Sequence, residues 1–345
     1  LVNNGAEMAL VGPFPFSQTP IERVTRKLHQ IVFQKRPAKY TDSFLKKAAD
    51  AVQAAITTHQ PDVIFSKYLS IISRVQTDVP VVVLSDTTLA GSQREWPIFS
   101  PAAYRKQNRA EQKGYDKAQA IVVHSQWSVD DLVTSYHQPS TRIHMYPCPA
   151  SIPKQVIPSE IPVKEMDPFK ILLVGRDFDR KGVDIAIETV RILNREGVPA
   201  QLKIVGLVGQ SDSQVKFMGL YNKTRPEELQ AYADNYRWAN FLLHPARFEA
   251  AGIAPAEAAA FGVPTLTNNV GGLATTVADG VSGVVLPKHS PASEYARVCR
   301  QYAADPAAYR QLCLSTRRRY DRELNWDVLA RKLYDICQVA ARQSA

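Results

Sequence analysis

Six prolines fall in the 24 residues from Tyr146 to Phe169, and no regular element can run through them. Proline lacks the amide donor and pushes its preceding neighbour out of helical geometry. The chain of 345 residues is therefore cut into two halves, each long enough for its own core. The expected organisation is a first domain over 1–150, a linker over 151–168 and a second domain over 169–325.

Both halves carry the same rhythm. In the first, "EMALVGPF", "PDVIFS", "VPVVVLSD" and "AQAIVVHS" are short apolar runs ending in turn or polar residues. Helical patterns lie between them at Tyr40–Gln60 and Ser100–Lys117. In the second, "FKILLVG", "AQLKIVG", "VKFMG", "NFLLHP", "VPTLTN" and "GVVLP" read as strands, with an amphipathic helix at "VDIAIETVRILNREG" and helices from Ser293 onward. Near-continuous Val/Ile runs alternating with helices predict parallel sheets covered on both faces. The expected class is α/β: two Rossmann-like, doubly wound domains facing a cleft, with ligands outside the carboxyl ends of the strands.

Composition excludes some classes. The apolar share of 45% and charged share of 22% are ordinary for a soluble globular protein. No apolar run reaches the roughly 18–20 residues that span a bilayer. Cys148, Cys299, Cys313 and Cys337 show no metal-binding spacing and read as reduced, buried thiols of a cytoplasmic protein. The net charge of +9 is concentrated between Ile21 and Asp50, where eight Lys/Arg face three acids. That excess points to an anionic partner, or else to a solvated helix face. Within it "RKLHQIVFQK" adds Leu28, Ile31, Val32 and Phe33, apolar surface suited to shallow insertion at an anionic membrane through residues 23–47. The chain opens at Leu1 without Met, which points to a leading segment outside it.

Two segments carry chemistry. "VGRDFDRKG", Val174 to Gly182, follows a strand and precedes a helix. Gly175 allows a sharp turn, and Arg176 and Lys181 then stand near a helix N-terminus, a place that already favours anions. Neither a Walker A loop nor a G-x-G-x-x-G fingerprint is present. The second segment, "FEAAGIAPAEAAAFGVP", holds Glu249 and Glu257 among small residues. Pro255 suits a first helical turn, which places Glu249 in the preceding loop and Glu257 in the first turn of the helix. The candidate N-caps Ile253 and Ala254 have no side-chain oxygen, so Glu257 is not explained as a capping-box residue. Both carboxylates are expected at the open edge, as acceptors for ribose and sugar hydroxyls.

In combination these segments carry a resemblance. The G-R-x4-K-G loop, "HPARFEAAGIAPAEAAAFGVP" and "TNNVGGLATTVADGVSGVVLP" resemble the retaining glycosyltransferases of family 4, with the two-domain GT-B fold. The likeness runs from Phe169 to about Pro287; "PDVIFS", "VPVVVLSDTT", "AIVVHSQWSVDDL" and "LNWDVLARKLYDI" extend it more loosely. It implies a metal-independent hexosyltransferase using a nucleoside diphosphate sugar, such as a UDP- or GDP-sugar, and a saccharide or lipid-linked acceptor. No cofactor and no nucleic acid partner are implied. It implies that Arg176 and Lys181 hold the donor diphosphate, that Glu257 accepts from the ribose and that Glu249 contacts the transferred sugar. Gly175, Gly252 and Ile253 would meet phosphate or sugar. Val205, Gly206, Leu220, Tyr221 and Asn222 would flank the nucleobase. The final helix, 326–345, would pack back on the first domain. Many relatives have a histidine after the strand "VPVVVLSD"; here Asp86 takes that place, in a pattern similar to an "SD-x-T" variant of bacterial sequences, with a role in sugar contact or acceptor positioning. The first strand and glycine-rich loop of the family are expected before Leu1. Other readings are a nucleotide-sugar-binding protein without catalysis, a two-domain solute-binding protein and a nucleotide-sugar epimerase of similar fold. His124 and His244 each end a strand and are read as structural, and Trp127 as part of the core.

Overall fold

A computed structural model of the chain describes residues 1, 4–13 and 40–343. Most of the basic stretch at 23–47, including Leu28 to Phe33, lies outside the described residues; Lys46 and Lys47 are on a helix. The chain divides into two compact units, Leu1–Tyr146 with Ala330–Ala345, and Pro147–Leu329.

The first unit runs α1 (Asp42–His59), β1 (Ile64–Ser66), α2 (Leu69–Ile72), β2 (Val81–Ser85), α3 (Leu89–Glu95), α4 (Pro101–Lys117), β3 (Ala118–Val123), α5 (Gln126–Ser135) and β4 (Ile143–Met145). The four strands form one parallel sheet in the order β1-β2-β3-β4. Val81 to Leu84 and Ala120 to Val123 are all buried, as a sheet covered on both faces requires. Helix starts follow local chemistry. Thr41, Thr88, Ser100 and Ser125 each cap a helix with a side-chain oxygen, and Pro101 opens α4.

One expectation is corrected here, and one strand was not foreseen. "EMALVGPF" is not a strand: residues 6–13 carry no regular element, and Leu10 is 83% exposed. An apolar run makes a strand only where a ladder partner takes its backbone groups. Conversely, β4 had no sequence signal, being three residues long with no buried member.

The second unit begins with the proline-rich stretch, which packs as a strap on this unit. Ile152 and Val156 are buried. Arg317 donates to the Pro158 carbonyl at 2.7 Å and Asn240 to the Glu165 carbonyl at 2.9 Å. Then come β5 (Phe169–Val174), α6 (Val183–Arg195), β6 (Ala200–Val205), β7 (Val215–Gly219), α7 (Pro226–Trp238), β8 (Phe241–His244), α8 (Ile253–Ala260), β9 (Thr265–Asn268), α9 (Leu273–Thr276), β10 (Gly283–Leu286), α10 (Ala292–Ala304) and α11 (Pro306–Arg322). Six parallel strands lie in the order β10-β9-β8-β5-β6-β7. The order reverses between β5 and β8, and a doubly wound sheet opens its binding crevice at the carboxyl ends of such a pair. The last helix, α12 (Trp326–Arg342), buries Leu329, Leu333, Ile336, Cys337 and Ala340 along one stripe. All four cysteines are free and buried. No helix among the described residues is long and apolar enough to cross a membrane.

Candidate functional site

The loop after β5 and the loop after β8 meet at this reversal. Gly182 ends the first loop in the left-handed region, at φ 65°, and starts α6. A Cβ there would collide with the Pro245 carbonyl, so only glycine lets the two loops close. The loops are stapled by Arg247, whose guanidinium takes both Asp184 oxygens at 2.9 and 2.6 Å and whose amide donates to the Arg180 carbonyl at 2.8 Å.

Glu249 is the centre of this junction. Its Oε2 receives Lys181 Nζ, Arg180 Nη1 at 3.3 Å and His244 Nε2 at 3.3 Å. Burial acts to raise its pKa, but the bond from His244 and the charge of Lys181 outweigh it and hold the carboxyl well below the usual range. Burial, with Lys181 beside it, presses His244 down to about 4, so the imidazole is neutral at pH 7. Burial likewise lowers Lys181, against the pull of Glu249.

Glu257 forms a second cluster. It is 1% exposed and lies in the second turn of α8, not the first, because the helix begins at Ile253 after Gly252, itself at φ 83°. Its Oε1 receives Lys223 Nζ at 2.8 Å; its Oε2 receives Tyr232 and Tyr236 hydroxyls at 2.6 and 2.8 Å. Glu257 is thus buried rather than at the open edge, whereas Glu249 is only partly buried; both are held by protein donors. A buried carboxylate persists only when so compensated.

Arg176 differs from its neighbours. It is exposed, has no ion pair among the described residues, and its stem lies over Gly206. Its charge reaches Tyr232 beside Glu257. The N–H groups of Ile253 and Ala254, at the start of α8, have no acceptor among the described residues. Val205 is buried at the end of β6, while Leu220 is 61% exposed. Tyr221 meets the Tyr232 ring edge-on at 6.0 Å, and the Asn222 amide donates to Glu228 at 2.6 Å. So Gly175, Arg176, Lys181, Glu249, Gly252, Ile253 and Glu257 belong to the strand ends of one sheet, whereas Asp86 belongs to the first unit. Arg180, Lys223, Tyr232, Tyr236 and the bonding of His244 were missed by sequence reasoning. Arg180 alone had a local signal, as the cation beside Lys181.

Two family models divide the chain: "Glycosyltransferase Family 4" matches residues 1–152 and "Glycosyl transferases group 1" matches 158–319. The chain is 27% identical over 247 residues to a D-inositol 3-phosphate glycosyltransferase of Xylanimonas cellulosilytica, covering 65% of this chain and 58% of that protein. It spans less than two thirds of the length of this curated relative. Among solved structures, sucrose-phosphate synthase of Thermosynechococcus elongatus superposes with a TM-score of 0.67 at 21% identity, over 86% of this chain and 78% of that one. WaaG, a glycosyltransferase involved in lipopolysaccharide biosynthesis, gives 0.60 at 23% identity, over 88% and 84%.

Proposed function

The chain belongs to the family 4 glycosyltransferases of GT-B fold, and from this we propose that it moves a hexose from a nucleoside diphosphate sugar to an acceptor hydroxyl with retention at the anomeric carbon. The carrying observation is the loop after β5, which holds both the exposed Arg176, without an ion pair among the described residues, and Lys181 on Glu249. In this reading the donor diphosphate draws Lys181 toward itself and takes Arg176 and the first-turn N–H groups of α8 as further partners. These groups are fixed before the bond breaks, so they stabilise the charge that develops on the leaving diphosphate without reorganising. Glu249 stays ionised on Arg180 and His244 and accepts from a sugar hydroxyl. Glu257 exchanges Lys223 for the ribose. The departing phosphate oxygen takes the acceptor proton on the same face of the sugar. Val205, Gly206, Leu220, Tyr221 and Asn222 flank the base, and Asp86 meets the acceptor or the sugar.

The relative named for D-inositol 3-phosphate supports a polyol among the acceptors considered, beside saccharides and lipid-linked sugars. The basic stretch at 23–47 supports recruitment to an anionic membrane surface; vesicle co-sedimentation at low salt tests it, and equal, negligible binding to neutral and anionic vesicles ends it.

The experiment for the main reading is a thermal-shift titration with UDP, GDP and ADP. One of them should raise the melting temperature in the wild type and not in Arg176→Ala. No response to any of the three ends the proposal. A binding protein without transfer gives the same shift but no product from the matching sugar nucleotide.

A further inference from the structure

The carboxyl edge of the first sheet receives one polar residue from each of three strands: Lys67 after β1, Asp86 after β2 and His124 after β3. His124 is 2% exposed. Its Nδ1 lies 2.9 Å from the carbonyl oxygen of Tyr146, the residue that follows β4. A carbonyl only accepts, so Nδ1 carries the ring proton and Nε2 is left with a lone pair. Burial opposes a second proton and so does Lys67, against the Tyr146 carbonyl and Asp86.

Nε2 then faces Oδ1 of Asp86 at 3.8 Å. Asp86 is half exposed and its charge is balanced by Lys67 Nζ at 3.7 Å, on the same oxygen. At 3.8 Å Nε2 and Oδ1 are too far apart for a direct hydrogen bond. Two acceptors facing each other at this spacing repel unless each receives a proton from a third group. Neighbouring hydroxyls of one molecule supply two protons at about that spacing.

We propose that His124 Nε2 and Asp86 Oδ1 together bind a vicinal diol, two hydroxyls on adjacent carbons of a polyol or sugar acceptor. The inference rests on the transferase reading for the word acceptor; the diol site itself does not. His124 is then a binding residue and not only a strand-end contact. Lys67 Nζ, 3.7 Å from the same oxygen, places a cation beside the Asp86 acceptor. A molecule with one isolated hydroxyl satisfies only one of the two acceptors and binds correspondingly worse.

The test is nitrogen NMR of the histidine rings in the full chain, with D-glucose and D-mannitol as vicinal probes and cyclohexanol as the single-hydroxyl control. At pH 7 the free protein should show His124 with a protonated Nδ1 and a bare Nε2. Both polyols should move the Nε2 resonance and leave Nδ1 in place, and cyclohexanol should move neither. Asp86→Asn, at an exposed position, should weaken polyol binding about tenfold, the loss of one charged acceptor, with the Nδ1 signal unchanged. A doubly protonated His124 in the free protein overturns the proposal, because an imidazolium would pair with Asp86 directly. So does a Nε2 signal indifferent to both polyols in a protein that still responds to a nucleoside diphosphate. Failure of the transferase reading has a different signature: no nucleoside diphosphate response, with the polyol response intact.

Discussion

Lys223 Nζ stands 2.8 Å from Oε1 of Glu257, so the carboxylate proposed for the ribose is already occupied by a cation of the same chain. Lys223 is one-third exposed, donates also to the Ser151 carbonyl at 2.9 Å, and lies over the Tyr232 ring at 4.6 Å. A ribose can reach Oε1 only if Lys223 gives it up. Lys223→Met should therefore tighten nucleoside diphosphate binding several-fold while lowering the stability of the free protein by about 1 kcal/mol, a value reduced for its exposure. Calorimetric titration and melting of the two proteins check it. Weaker binding in the variant would show that Lys223 helps the ligand instead of competing with it.

Arg176 and Lys181 should separate in their effects. Lys181→Ala should cut turnover roughly 10²–10³-fold, as for one preorganised charge contact. It should also destabilise the fold, because Glu249 loses a buried partner. Arg176→Ala should lower nucleoside diphosphate affinity with its melting temperature unchanged, since Arg176 is exposed and holds no ion pair among the described residues. Near-normal rates and affinities in both variants would move the phosphate site elsewhere.

The two carboxylates should also behave differently. Glu257→Ala should weaken binding of the bare nucleoside diphosphate. Glu249→Ala should leave that binding intact, since it releases Lys181 and Arg180, and should instead damage transfer. The reverse pattern would exchange the two roles.

A pH effect is expected in the first unit. Glu111 is raised to about 7 by burial, against hydrogen bonds from Tyr136, Tyr115 and the Leu89 amide, with Asp131 adding to the rise. Tyr136 Oη lies 2.5 Å from Asn108 Oδ1 and 3.0 Å from Glu111 Oε2, and one hydroxyl proton cannot serve both. A proton on Glu111 completes the set. Because the folded value is raised, the stability it gives is full below the unfolded value near 4.5 and is lost as pH rises through about 7. Glu111→Gln keeps a neutral donor, so its melting temperature relative to wild type should climb between pH 5 and pH 8. Parallel curves across that range would refute the assignment.

Gly182→Ala should cost about 2 kcal/mol or more, through both the left-handed backbone and the clash with the Pro245 carbonyl. A denaturant melt checks it; a change within 0.5 kcal/mol would mean that the two loops can part without penalty.

What could be read from the sequence follows burial and locality. Val81–Leu84 and Ile171–Val174 were legible because sheets buried on both faces leave unbroken apolar runs. Helix starts were legible where Ser or Thr caps them, as at Ser100-Pro101. The start of α8 was misplaced because its cap is a left-handed glycine that offers no oxygen, and this put Glu257 one turn too early. The partners of Glu257 were invisible for another reason. Lys223, Tyr232 and Tyr236 lie 34, 25 and 21 residues away, and only the packing of α7 brings them in. The resemblance implied one site for Lys181 and Glu249, but not that the two contact each other.

The helix Trp326–Arg342 is continuous, yet its residues from Ala330 onward are grouped with the first unit. On a ribosome this has a consequence. Domains usually fold in the order in which they emerge. Here the first sheet leaves the exit tunnel early, and the C-terminal residues grouped with it follow only after the whole second unit is translated. The later-made unit can complete its own core before the earlier one does, so a nascent chain stalled ahead of Ala330 would carry a finished second sheet behind an unfinished first.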